Sequence, residues 1–187
     1  MFAFLELETI FLITHVFGAI LGAGGAFTSD AMFMSSAKDG RITQTEMRFM
    51  RLGGRLIWTG LTILIVSGLC LFALQPEEYL TSDKFLAKMS IVGIIAINGF
   101  IFHASHLPLL KKNLGVHFAS SPAILKRSSL LLISGSISMI SWISAVVLGM
   151  IKNLPWEYGL IMGIYISALI FGALTAVLLK RKLLHLS

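Results

Sequence analysis

The 187-residue sequence predicts an all-α integral membrane protein, a single domain over 1–187 built as a bundle of five transmembrane helices. Composition is the first reason: 56% of the residues are hydrophobic and only 13% charged, more apolar surface than a soluble core of this size can bury. Length is the second, because five apolar runs, at about 9–29, 56–75, 87–110, 129–151 and 156–179, each approach the roughly 20 residues a bilayer-crossing helix needs. Charge placement is the third. Twelve of the fifteen Lys and Arg residues fall between runs one and two, between runs three and four, or after run five. Basic residues resist translocation, so those segments read as cytoplasmic, with the N-terminus outside and the C-terminus inside.

Run one follows Glu6 and Glu8, lacks a basic leader and is rich in glycine, so it reads as a retained first helix, not a cleaved signal peptide. The segment after it, "SSAKDGRITQTE" (Ser35–Glu46), imitates a calcium loop at Asp39, Gly40 and Glu46. Ser35 and Ala37 stand where that motif needs carboxylates. The plainer reading has Asp39-Gly40 turning the chain and Thr43 with Glu46 forming a capping box for the helix that enters run two. Arg48, Arg51 and Arg55 then lie near the interface, as headgroup anchors or as a propionate or phosphate site. Cys70, the sole cysteine, excludes internal disulfides and thiolate metal cages.

Run three opens with Lys88 and closes with His103 and His106, with Asn98 between them. Runs four and five read as support. Ser134, Ser138, Ser141 and Ala145 form one small-residue stripe and Gly159, Gly163 and Ser167 another, as close helix packing requires. Trp156 and Tyr158 suit an external aromatic belt, while His117 and His185 read as surface residues in basic segments. Pro76, Pro108, Pro122 and Pro155 fall near helix ends, where proline is tolerated.

The chemistry centres on "THVFGAILGAGGAF" (Thr14–Phe27). At about 100° per residue, His15, Gly18, Gly22, Gly25 and Ser29 share one face of a helix. Glycines at that spacing alone would serve close helix contact. The histidine adds a reason to look further, because an imidazole at membrane depth turns inward toward a partner or a cavity. Haem satisfies both features, its iron ligated by His15 and its flat face lying on the glycines. A histidine hydrogen-bonded to a neighbouring helix satisfies them equally.

Lys88 and His106 are eighteen residues apart, about five turns, so both can face the interior at different depths. Lys88 lies near the external boundary and His15 some seven residues, about 10 Å, into run one; His103 and His106 lie near the cytoplasmic boundary. Three arrangements fit. A haem held by His15 with Lys88 or an open sixth position sits in the outer half; a second haem or metal uses His103 or His106; or those two histidines reach the interface.

The stretch "HVFGAILGAGGAF" resembles the first-helix pattern of the CopD-like and HemJ-like membrane proteins through His15, Gly18, Gly24, Gly25 and Phe27. Run three is similar to that group through Lys88, Asn98 and Pro108, and Gly22 stands where the group often has a tryptophan. The resemblance covers roughly the first 110 residues. It implies a compact helical bundle in a bacterial cytoplasmic (inner) membrane, binding haem b or oxidising protoporphyrinogen in HemJ-like members and handling copper in CopD-like ones. It also implies His15 as ligand and Lys88 as its functional partner. Copper fits less well, since nine methionines trace no membrane-crossing thioether path.

The leading expectation is therefore a haem b-binding protein in electron transfer or in haem-linked oxidation of a small or porphyrin substrate. His15, Gly18, Gly22, Gly25, Lys88 and Asn98 would surround the cofactor, and His15, His103 and His106 are the candidate metal ligands. Its partners would be membrane lipid, a redox protein and further copies of the chain. No nucleic-acid motif or phosphate loop is present. Two other classes remain: transport of a proton or metal ion along His15, Lys88 and Asn98, and a structural module whose small-residue stripes bind partner helices.

Overall fold

In a computed structural model the described residues are 2–152, 154–178 and 180. The chain runs through α1 (Phe2–Asp39), α2 (Gln44–Leu74), the short α3 (Pro76–Leu80) and α4 (Asp83–Ile101). A π-helical turn (Phe102–His106) leads into α5 (Leu107–Lys112), and a 3-10 turn (Phe118–Ser120) precedes α6 (Pro122–Met150) and α7 (Tyr158–Leu178). Five stretches are long and apolar enough to cross a membrane: Glu6–Ala37, Gln44–Leu74, Asp83–Lys112, Pro122–Met150 and Tyr158–Leu178.

The helices outrun the apolar runs at one end. Ser35–Asp39 continues α1, and the polar segment Gln44–Arg55 already belongs to α2, so only Gly40–Thr43 connects them. Helix persists because its termini are satisfied locally. The Gly40 and Arg41 amides bond to the Ala37 and Ser36 carbonyls, at 3.3 and 3.2 Å, with Gly40 at φ 70°, a conformation that costs side-chain-bearing residues dearly. The expected capping box is present: Glu46 N donates to Thr43 Oγ1 at 3.3 Å, and Thr43 N donates to Glu46 Oε2 at 2.8 Å. The exposed His117 ring packs over Gly40, and an isolated bridge joins Arg41 to His117. His185 lies outside the described residues.

Helix four likewise does not stop before Pro108. Proline cannot donate to the carbonyl four residues back, and its ring collides with that group, so a wider turn over Phe102–His106 absorbs the conflict and the helix continues to Lys112.

α1 and α2 lie antiparallel along most of their lengths. A Cβ at Gly18 would sit 2.8 Å from the Leu64 nitrogen, one at Gly25 2.8 Å from the Gly53 carbonyl, and one at Gly60 would strike the Gly22 backbone. α6 packs on α1, α4 and α7, whereas α2 meets α4 only sparsely. One apolar core fills mid-bundle around Ala26, Leu61, Ile91, Ile95 and Trp142; a second, with Ala37, Ile42, Met50, Leu110, Phe118 and Ile124, closes the end that carries the Gly40 turn. The two ends are called here the His15 end and the Gly40 end.

Candidate functional site: a histidine–lysine cleft

The sparse contact between α2 and α4 leaves a cavity of about 220 Å³ at the His15 end. α1 supplies His15 at its back, α2 supplies Leu64, Gly68 and Phe72, and α4 supplies Phe85, Lys88 and Val92. Leu12, Ile65, Leu69 and Met89 line it as well and are exposed, so the cavity is open toward the lipid side of the bundle. Phe72 stacks on Phe85 at 5.7 Å, and Tyr79 from α3 leans on Phe85 at 5.1 Å, which builds a rigid aromatic mouth. Burial, and then the carboxylates of Glu8 and Glu78, push the Tyr79 phenol above its ordinary range, so it stays a protonated donor there.

The imidazole is held by a two-step chain. Ser67 Oγ donates to the Ile63 carbonyl at 2.6 Å and therefore accepts from His15 Nδ1 at 3.1 Å. A neutral ring with its hydrogen on Nδ1 keeps a lone pair on Nε2, the tautomer a metal ligand needs. Gly68 makes the pose possible, since a Cβ there would lie 3.2 Å from His15 Cε1.

Two cations reach this cleft and differ in what they do. Lys84 Nζ donates to the Ile151 and Lys152 carbonyls at 2.8 and 3.2 Å, tying α4 to the end of α6. Lys88 makes no hydrogen bond or ion pair among the described residues. A half-buried ammonium without a partner is costly, and it attracts an anion or a lone pair into the cleft.

The expected glycine wall is elsewhere. Gly18 and Gly25 are buried against α2, and a Cβ at Gly22 would strike the Trp142 indole from α6; none of the three lines the cleft. Their period matched a helix interface, and the missing side chains are spent on close backbone approach. The open face belongs instead to Gly68.

Asn98 is also remote from His15. It is locked to α6, with Nδ2 donating to the Ser134 carbonyl at 3.0 Å and Ser134 Oγ donating to Oδ1 at 2.9 Å, and it borders a second cavity toward the Gly40 end. Val92 and Leu64 border the first cavity, and Ile95, Ile57 and Trp142 the second. Among the described residues, Asn98 therefore shares no cavity with His15 and Lys88.

His103 and His106 part company at the π turn. His103 Nδ1 accepts from Trp58 Nε1 at 3.3 Å, while His106 is 3% exposed with Nδ1 unpartnered. On an ordinary helix their spacing would bring them near one another; across the wider turn His103 lines the second cavity and His106 is buried outside it. Among the described residues no three His, Cys, Asp or Glu side chains gather closely enough to hold a metal ion. Arg48, Arg51 and Arg55 are exposed toward the Gly40 end and line neither cavity, so they cannot serve a carboxylate bound beside His15. Met47 and Met50 are core residues.

Sequence reasoning missed Ser67 and Gly68, the residues that aim His15, and Asp30, which borders the second cavity. "SGLCLF" (Ser67–Phe72) carried the signal: Ser67, Gly68, Leu71 and Phe72 fall at helical spacing on one face. Comparison with family models, with curated proteins and with solved structures returns no match for this chain.

Proposed function

We propose that this chain is a haem b-binding protein of a bacterial inner membrane, with its N-terminus outside, acting in electron transfer or in haem-linked oxidation of a small or porphyrin substrate. The observation that carries the reading is the pairing of a pre-aimed imidazole with an unpartnered Lys88 in one apolar, laterally open cleft.

The donor set suits the group. His15 Nε2 is the ligand nitrogen, Lys88 answers a carboxylate, Tyr79 donates at the mouth, and leucine, phenylalanine and valine side chains form the walls. The enclosed volume takes only part of a porphyrin, and the opening between α2 and α4 is the side on which the remainder would meet lipid. Bound iron would supply one-electron chemistry, and the chain sets ligand orientation, polarity and access. The similarity of helix one and of Lys88 to CopD-like and HemJ-like proteins supports the same reading. The charge bias supports the orientation part of the reading, with the Gly40 end toward the cytoplasm.

Transport along His15, Lys88 and Asn98 draws less support, because Asn98 lines a different cavity from the other two. The test is the visible spectrum of the purified chain after reconstitution with haem b. A Soret band that His15→Ala removes and His106→Ala keeps is expected. A folded, colourless protein, or a band indifferent to His15→Ala, overturns the assignment.

A further inference from the structure

The second cavity, about 60 Å³, is lined by α1, α2, α4 with its π turn, α5 and α6. Its walls are mostly apolar, with a few polar groups among them. Asp30 Oδ2 is fully buried without a hydrogen-bond partner, and Ser29 Oγ, on a residue 6% exposed, is equally unpartnered. Ser138 borders the same space, while Asn98 and Ser134 satisfy one another at its edge.

A carboxylate with one oxygen withdrawn from water is favoured by a countercharge, and the described residues of the lining offer none that is free. From α2 the lining is Met50 and Ile57, with Arg48, Arg51 and Arg55 exposed elsewhere on the helix. From α6 it includes Gly135, where a Cβ would be 3.7 Å from Asp30 Oδ1, and no titratable side chain; Arg127 donates to Ser105 at 2.7 Å. From α4 and its π turn comes His103, whose Nδ1 is engaged by Trp58, while His106 is buried off the cavity. Asp30 and His103 are thus the titratable residues of the lining.

The remaining candidates for neutralising Asp30 are a proton and a small metal cation. A metal cation needs about six oxygen ligands. Here one carboxylate and the hydroxyls of Ser29 and Ser138 are free to serve. A proton needs only one carboxylate oxygen and a water to deliver it, and a space of this size with Ser29, Asp30 and Ser138 on its wall has room for water, which requires about 10–15 Å³ per molecule.

We propose that Asp30 is a proton-binding site that exchanges its proton with water in this cavity and holds it as a neutral carboxyl. The step is a proton transfer alone: a water-borne proton bonds to a carboxylate oxygen, no electron moves, and the reverse step returns it. Ser29 and Ser138 would orient the delivering water. The proposal does not depend on the cofactor reading.

The full-length protein in lipid nanodiscs tests it by infrared spectroscopy at neutral pH, with aspartate carrying a heavy carbon isotope in its carboxyl group. Asp39 and Asp83 are exposed, so an isotope-shifted band of a protonated carboxyl that is lost in Asp30→Asn belongs to Asp30. That band is expected, is expected to vanish in Asp30→Asn, and is expected to ignore sodium or potassium. No isotope-sensitive protonated band at neutral pH, or one that disappears when sodium is added at constant pH, overturns the proposal, the latter in favour of a cation site.

Discussion

His15 Nδ1 lies 3.1 Å from Ser67 Oγ, which is itself committed to the Ile63 carbonyl at 2.6 Å. The serine therefore acts as an acceptor toward the ring and fixes both its tautomer and its direction. Removing an orienting partner of a ligating histidine typically costs about 10–100-fold in affinity. Ser67→Ala is expected to weaken haem binding by about tenfold while leaving the Soret band present. Titration of the variant with haem, followed at that band, measures it; unchanged affinity would detach Ser67 from the site.

Gly68→Val is the steric counterpart. A Cβ already comes within 3.2 Å of the imidazole, so a branched side chain must displace the ring. Binding at His15 should drop more than in Ser67→Ala, with little change in thermal stability, because Gly68 borders a cavity and not a packed interface.

Lys84 and Lys88 sit one helical turn apart but should respond differently. Lys88→Met removes the free cation and is expected to lower affinity for haem about tenfold or more, the size of a lost charge-assisted hydrogen bond. Haem with esterified carboxylates should bind wild type and variant alike. Lys84→Met instead breaks the tie to the Ile151 and Lys152 carbonyls and should lower thermal stability while sparing binding. Equal effects on esterified and free haem would refute the carboxylate role.

Two glycines of the first two helices separate packing from propensity. Gly60→Val drives a side chain into the Gly22 backbone and should destabilise the bundle by about 1–3 kcal/mol. Gly24 has open space where its Cβ would point, so Gly24→Ala should be neutral or stabilising by at most about 1 kcal/mol. Thermal unfolding in one detergent compares them directly.

At the Gly40 turn, Thr43→Ala removes the side chain that accepts from Glu46 N and should cost about 1 kcal/mol. Gly40→Ala should cost more, since it combines φ 70° with a collision against the His117 ring. A smaller loss for Gly40→Ala than for Thr43→Ala would contradict this reading of the turn.

The parts legible in the sequence are those set by local chemistry. The five apolar stretches, the Asp39-Gly40 turn and the Thr43–Glu46 capping box each depend on residues close in the chain, and each occurs. Helix ends were less legible, because polar segments such as Ser35–Asp39 are helical without being apolar. The glycine face of α1 was visible as a face, but not what it met. A period of small residues looks the same whether a cofactor, a backbone or an indole lies against it; here α2 and Trp142 do.

Sequence by itself determined that the chain folds into apolar helices and that His15 and Lys88 both lie in the outer part of their runs, since hydropathy and rise per residue are properties of single segments. Only tertiary structure decided that Ser67 and Gly68 aim the histidine, that Asn98 and Asp30 belong to another cavity, and that a π turn sends His103 and His106 apart. Those outcomes depend on the rotation of each helix about its axis and on which neighbour it meets. Residues as far apart in the chain as Gly22 and Trp142 set that rotation, and no window of sequence contains them together.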